Sequence, residues 1–375
     1  MPQRPLPNGD FWQGRKVLVT GHTGFVGGWL SLWLHHLGAR VSGYALPSPT
    51  EPSFCDTVKL PELIDHAIGD VRSLADIQHA VAAAQPQITF HLAAQPLVRL
   101  AHREPVETFS TNVMGTVHLL EALRHAEDLE TAVVFTTDKV YRNVGSIWPY
   151  RETDTLGGEE PYGASKVCAE WVTAAYRRSY FMSPTAKKYV APPAIVAMRA
   201  GNIIGGGDWA LDRLVPDAVR AFAGSKPLVI RHPEAIRPWQ HVLEAVRGLL
   251  ILAERSAADR RLGDIEGWNF GPPERDSRPV ADLANLMVRH WGGSASWQDG
   301  GDGSVPEATT LLLASQKAQR HLAWQTHWSL GQNVEATIAW YKAHLAGEDM
   351  RRFSLRQIDD YSEQILSHLP MGDIA

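Results

Sequence analysis

The sequence predicts an α/β fold, a doubly wound parallel sheet with a smaller C-terminal region. Three observations carry this. Short β-rich runs alternate with segments of helical apolar spacing through residues 16–199. A glycine-spaced turn, Gly21 to Gly27, joins the first run directly to the first helical segment. The alternation then fades after Arg199, where Pro, Trp and Gly become frequent, as in Pro238-Trp239 and Gly271-Pro272-Pro273.

The elements follow in order. Lys16-Val17-Leu18-Val19-Thr20 reads as a strand. Phe25, Trp29, Leu32, Trp33 and Leu37 recur at helical spacing over residues 24–37, and Gly38 stops that helix. Residues 40–45 form the second strand. Residues 73–84 are helical, 88–92 a strand, and 105–124 a long helix with Val113, Val117, Leu120 and Leu123 along it. A strand at 133–136, a helix at 162–180 and a strand at 194–199 complete the series. Alternating strands and helices make parallel crossover units. A helix at 241–254 and a strand near 268–270 are expected to return to this first domain. The boundary is therefore discontinuous: 1–199 with a returning segment at about 238–271 forms the nucleotide-binding domain, and 200–237 with 272–350 forms the substrate-binding domain. The polar tail, 351–375, is expected to be loosely held.

The 375 residues are 44% hydrophobic and 21% charged, enough apolar content for a large core. A net charge of −5 excludes a basic surface for nucleic acid or anionic membrane. Residues 1–12 are Pro-rich and polar, without the apolar stretch of a signal peptide. The longest apolar runs, such as 249–253, fall far short of the roughly 20 residues a bilayer needs. Cys55 and Cys168 read as two buried free thiols in a reducing compartment. A cytoplasmic protein is expected, with no metal, nucleic-acid or membrane partner.

Gly21-His22-Thr23-Gly24-Phe25-Val26-Gly27 sits between a strand and a helix, the setting of a Rossmann-type dinucleotide loop. Gly21 permits the turn, Gly24 lets the backbone approach a diphosphate, and Gly27 lets helix and strand close together. The helix N-terminus then offers N–H groups to the phosphates. The second strand ends Gly43-Tyr44-Ala45-Leu46-Pro47, without the acid that holds a ribose 2′-hydroxyl or the Arg that favours a 2′-phosphate. Glu51 follows and Arg40 precedes, and the reading leans to NAD. Asp70-Val71 either holds the adenine or caps a helix. Ala93-Ala94-Gln95 is small enough to let the cofactor pass.

Two strings carry chemistry. Tyr162 and Lys166 lie four apart on one helix face, where a cation lowers the phenol pKa towards neutrality. Such a tyrosine takes the proton of a sugar hydroxyl while hydride leaves for the nicotinamide, and Thr137 holds that hydroxyl. Asp138-Lys139, beside Thr137, adds an acid and an amine.

These features resemble the extended short-chain dehydrogenases/reductases that act on nucleotide sugars, and within them the CDP-glucose 4,6-dehydratase branch. The matching segments include Phe11-Trp12-Gln13-Gly14, Gln95-Pro96-Leu97-Val98-Arg99, Thr111-Asn112-Val113-Met114-Gly115-Thr116, Arg199-Ala200-Gly201-Asn202, Gly205-Gly206-Gly207-Asp208-Trp209 and Ile236-Arg237-Pro238-Trp239-Gln240-His241-Val242. They span residues 11–345. The resemblance implies a redox-neutral dehydration: oxidation at C4, loss of the C5 proton and the C6 hydroxyl, and hydride return to C6. Asp138 would be the acid at O6, held protonated by its surroundings. Lys139 would be the C5 base, its pKa lowered by burial and by Lys166, or would only order charge. Arg213 and Arg237 would bind the diphosphate or form surface ion pairs. Gln95, Asn202 and Asp208 would line the substrate pocket, and Trp209 would pack on the base or brace its loop. The resemblance also implies a homodimer through the helices at 105–124 and 162–180.

The chain departs from that family near its end. Pro306-Glu307-Ala308 stands where His-Glu-Ala is usual, and Leu311-Leu312-Leu313-Ala314 where Leu-x-Leu-Asp is usual. Other readings are an epimerase of the same fold and an NAD or sugar-nucleotide sensing module without turnover.

Overall fold

A computed structural model describes residues 5–182, 191–264, 267–301 and 310–368. Six parallel strands alternate with helices, all but β3 near positions the sequence predicts: β1 (Lys16–Thr20), β2 (Arg40–Ala45), β3 (Asp65–Ile68), β4 (Ile88–His91), β5 (Thr131–Phe135) and β6 (Ala194–Ala200). A seventh strand, Trp268–Phe270, adds beside β6, giving the order Trp268–Phe270, β6, β5, β4, β1, β2, β3. The chain reverses direction across the sheet between β1 and β4, so the crevice outside their C-terminal ends is where a ligand fits.

Side-chain alternation sorts the two faces. Val17 and Val19 point to one core, with Trp29, Trp33, Leu249 and Ile338. Leu18 points to the other, with Ile77, Val81, Leu119 and Leu123. The helices Phe25–His36 and Val242–Ala258 cover the first face, and Leu74–Ala84 and Gly115–Leu123 the second.

Two long helices differ from expectation. The one beginning at Pro105 passes through a π-turn, Ser110–Met114, before Gly115–Leu123. The other runs from Pro161 to Tyr176 and ends in a second π-turn, Arg177–Phe181. Apart from Trp268–Phe270, the strands after β6 are short and paired in twos.

The tail is a correction. Residues Met350–Ser367 form a capped 18-residue helix that buries Met350, Ile358, Tyr361 and Ile365. Tyr361 meets a fully buried cluster on the helix Val242–Ala258. There the Glu244 carboxylate accepts from the Tyr361 hydroxyl (2.5 Å), from Arg247 (2.9 Å) and from the backbone N–H groups of His327 (2.6 Å) and Trp328 (2.9 Å). Arg247 also donates to the Pro5 carbonyl (2.6 Å), so this cluster ties Pro5 and the helix Met350–Ser367 to the helix Val242–Ala258. Cys55 is buried, but Cys168 is only half-buried. Among the described residues no helix is long and apolar enough to cross a membrane.

Candidate active site

The two chemical strings meet because the backbone between them is pared down. Thr137 lies two residues past β5 and caps the tight turn Asp138–Val140, its hydroxyl accepting from the Lys139 N–H. Glu160 caps the next helix, accepting from the backbone N–H groups of Tyr162 (2.7 Å) and Gly163 (2.6 Å), with Pro161 at the first helical position. A side chain at Gly163 would begin 2.8 Å from the Lys139 carbonyl oxygen, so only glycine lets the helix start rest on the turn. The result buries Thr137, Asp138, Tyr162 and Lys166 together, each under 9% exposed.

Electrostatics divides these groups. Burial pushes the Asp138 carboxyl up, against the pull of Lys139, a hydrogen bond from Thr137 (3.1 Å) and Arg237. That is the direction a general acid requires. Burial also pushes the Tyr162 phenol up, to about 12, with Thr137 and Arg213 opposing. This corrects the expected fall towards neutrality. Lys166 shares the helix face, but its ammonium donates to the Phe135 carbonyl (3.1 Å) rather than to the phenol, and burial lowers its pKa to about 8. Lys139 is half-buried rather than enclosed, and its ammonium makes no ion pair among the described residues.

The glycine loop fits a dinucleotide. Gly24 caps the helix Phe25–His36 without any side-chain bond, leaving its first N–H groups for a ligand. A side chain at Gly27 would begin 2.2 Å from the Gly21 carbonyl oxygen, so the cradle exists only as glycine. The Thr23 hydroxyl donates to the Leu46 carbonyl (2.9 Å), fixing the loop to the end of β2. Phe25, Val26, Ala93 and Ala94 flank the cradle half-buried. Arg40 starts β2, a strand length of roughly 17 Å from the loop. It therefore cannot supply a 2′-phosphate contact there.

Several expected contacts take a different form. The His22 ring turns away against Gly43 and lies 2.6 Å from His66 (Nε2 to Nδ1), leaving only its backbone for a cofactor. Asp70 does not cap a helix: Ser73 does, while Asp70 binds Arg72 through both carboxylate oxygens, and that contact lowers its pKa. Val71 is core, packed on Gly115. The Gln95 amide is already used, donating to Thr108 (2.8 Å) and Leu97 (3.2 Å) and accepting from the Leu97 N–H (2.6 Å), so it shapes its loop. Trp209 packs edge-on against Tyr341 and also meets His344, which makes it a brace for the loop.

The outer part of the site has two arginines. Arg213, a third exposed, pairs with Asp208 (3.0 Å) and influences the Tyr162 phenol. Arg237 is buried, and its charge acts on the Asp138 carboxyl. Asn202 is half-buried near the loop Gly205-Gly206-Gly207. Leu311, Leu312 and Leu313 are buried, with Leu313 bridged to Tyr150, whereas Pro306, Glu307 and Ala308 lie outside the described residues.

Two supports went unread in the sequence. Asn112, at the π-turn, accepts from the Gln95 N–H (2.8 Å) and donates to the Ser165 hydroxyl (2.8 Å), which donates to the Tyr162 carbonyl (2.7 Å). Glu170 accepts from Thr136 (2.7 Å) and Arg199 (2.8 Å), tying the end of β5 to the Tyr162 helix and β6. The second left a signal. Arg199 is a charge ending an apolar strand, and Glu170 falls four residues after Lys166.

Comparison with known proteins agrees in extent. The family described as the NAD dependent epimerase/dehydratase family matches residues 17–266. The CDP-glucose 4,6-dehydratase of Salmonella typhimurium strain LT2 is 46% identical over 352 residues, covering 94% of this chain and 97% of that protein. Among solved structures, the epimerase Mth375 of Methanothermobacter thermautotrophicus superposes with a TM-score of 0.78 at 23% identity, over 92% of this chain and 96% of its own. The dTDP-glucose 4,6-dehydratase of Bacillus anthracis str. Ames, in complex with NAD, gives 0.72 at 18% identity, over 90% and 100%. These two structures show likeness of fold.

Proposed function

The chain belongs to the NAD dependent epimerase/dehydratase family, and we infer that it dehydrates CDP-D-glucose, or a close CDP-hexose, to the 4-keto-6-deoxy sugar. The observation that carries this reading is the Asp138–Lys139 turn pressed onto the start of the Tyr162 helix. It adds an acid and an amine to an alcohol-oxidising pair, which a 4-epimerase does not need.

Held by the glycine loop from Gly21 to Gly27, NAD would supply a hydride acceptor for C4, a positively charged ring and, once reduced, a hydride donor for C6. Thr137 and Tyr162 hold the 4-hydroxyl, and Tyr162 takes its proton. A positive charge in the pocket opposes the burial that pushes this phenol up. The new ketone acidifies the C5 proton, which Lys139 removes. Asp138, kept protonated by burial, gives its proton to the departing O6 as water forms. Arg213 and Arg237 meet the diphosphate, and Asn202 and Asp208 border the sugar-nucleotide. Asp70 and Val71 flank the adenine.

The same reading assigns residues 1–199 with 238–271 to NAD and 200–237 with 272–350 to the substrate, in a cytoplasmic homodimer. Val106, Phe109 and Met114 on one interface helix and Trp171 on the other are exposed large apolar residues, which a partner would cover.

The test is incubation with NAD and CDP-glucose in deuterated water. The expected product gives the alkaline ultraviolet chromophore of a 4-keto-6-deoxyhexose and carries deuterium at C5. An isomeric hexose without the chromophore would mark an epimerase instead. In Lys139→Ala, solvent exchange at C5 should vanish while NAD still binds; persistent exchange removes Lys139 from the base role.

A further inference from the structure

One exposed ion pair joins the sheet domain to the loop that precedes the helix Leu214–Ala223. Arg99 lies on the short helix Val98–Arg103, which packs against the helix carrying Tyr162 and Lys166. Its Nη1 donates to the Asp212 carboxylate at 3.0 Å, joining residues 113 apart in sequence. Arg231 stands 3.9 Å from the same oxygen. Asp212 is one of few non-glycine residues here with a left-handed backbone, φ 62°. Aspartate tolerates that conformation better than most residues, at a small cost in strain. Arg213 follows in an extended conformation, φ −112° and ψ 136°, and begins the helix Leu214–Ala223. This left-handed-then-extended step sends the two side chains opposite ways. The Asp212 carboxylate meets Arg99 at the rim, and the Arg213 guanidinium meets Asp208 and influences the Tyr162 phenol.

We propose that Arg99 and Asp212 are positioning residues, a clasp that holds the loop at 208–213 against the sheet domain and so sets Arg213 where it meets the substrate diphosphate and acts on the Tyr162 phenol. The consequence for the reaction rests on the dehydratase reading above. The sugar must stay in place through three steps. If the cleft opens after the first, what leaves is a 4-keto hexose that has lost its C4 hydrogen as hydride and its O4 proton to Tyr162. That sugar still carries its C6 hydroxyl. The two side chains are 48% and 43% exposed, so the pair shifts the closed state by no more than about fivefold, the ratio set by about 1 kcal/mol.

The test compares R99Q, D212N and the double variant. Asparagine keeps the left-handed backbone and removes only the charge. In the free chain, amide hydrogen exchange across residues 208–214 should quicken up to about fivefold in each single variant and no further in the double. Added salt should move the unsubstituted protein towards the variants. With CDP-glucose, each single variant should lower kcat with little change in KM. It should also release more of the keto sugar lighter than substrate by a pair of hydrogens rather than by water. Exchange equal to that of the unsubstituted protein, or single effects that multiply in the double variant, overturns the clasp. If the unsubstituted protein does not dehydrate CDP-glucose, the dehydratase reading fails by itself, and the exchange measurement still decides the clasp.

Discussion

Tyr162→Phe should bind NAD normally and lose turnover of CDP-glucose by about 10²- to 10⁴-fold, the contribution of a positioned proton acceptor. Phenylalanine fills the same buried space, and the helix start stays fixed by Glu160 and by the Asn112–Ser165 bonds, so the fold is expected to hold. Because oxidation at C4 comes first, this variant should also lose deuterium exchange at C5. Asp138→Asn should behave differently. It leaves the C4 step and the C5 exchange in place and stops only the departure of O6. Measuring C5 exchange and chromophore formation side by side separates the two roles. Exchange that survives Tyr162→Phe would contradict the order of steps, and full turnover by Asp138→Asn would remove the acid.

The largest stability effect should come from far outside the cleft. Glu244→Ala should lower stability by about 3–5 kcal/mol, the cost of leaving a buried charge without its partner. Glu244 and Arg247 are almost wholly inaccessible to water, and the substitution strands the Arg247 guanidinium and two backbone N–H groups, those of His327 and Trp328. Tyr361→Phe removes one donor from the same carboxylate and should cost about 2 kcal/mol. Both are read as shifts of the urea midpoint at constant slope. A shift for Glu244→Ala within about 0.5 kcal/mol would show that the cluster is not what fixes the helix Met350–Ser367 in place.

The sheet was legible because parallel strands buried on both faces read as continuous apolar runs, and Val17-Leu18-Val19 followed by Gly21 is such a run. The Tyr162–Lys166 and Thr137–Asp138 meeting was legible from motif and context. The phenol's environment was not. Four-residue spacing puts two side chains on one helix face but does not say where a long lysine ends, and Lys166 ends on the Phe135 carbonyl. His22 and Gln95 belonged to matching strings, yet their side chains are committed to His66 and to Thr108 and Leu97, contacts that no local pattern displays. The π-turns left no trace in apolar spacing. The final helix was missed because its many charges masked a sound stripe: Met350, Ser354, Ile358, Tyr361 and Ile365 follow helical spacing and are its buried face.

The cluster on the helix Val242–Ala258 also bears on how the protein is made. Domains of a growing polypeptide tend to fold as they emerge, N-terminal part first. Here the sheet lacks its last strand until Trp268–Phe270 has been translated, and Arg247 lacks Tyr361 until the final turns of the chain are released. A chain truncated between Phe270 and Tyr361 therefore carries every strand of the sheet with an unfinished charged centre. Quality control should recognise such truncated products, and a fusion partner intended to leave this enzyme intact belongs beyond the last helix rather than within it.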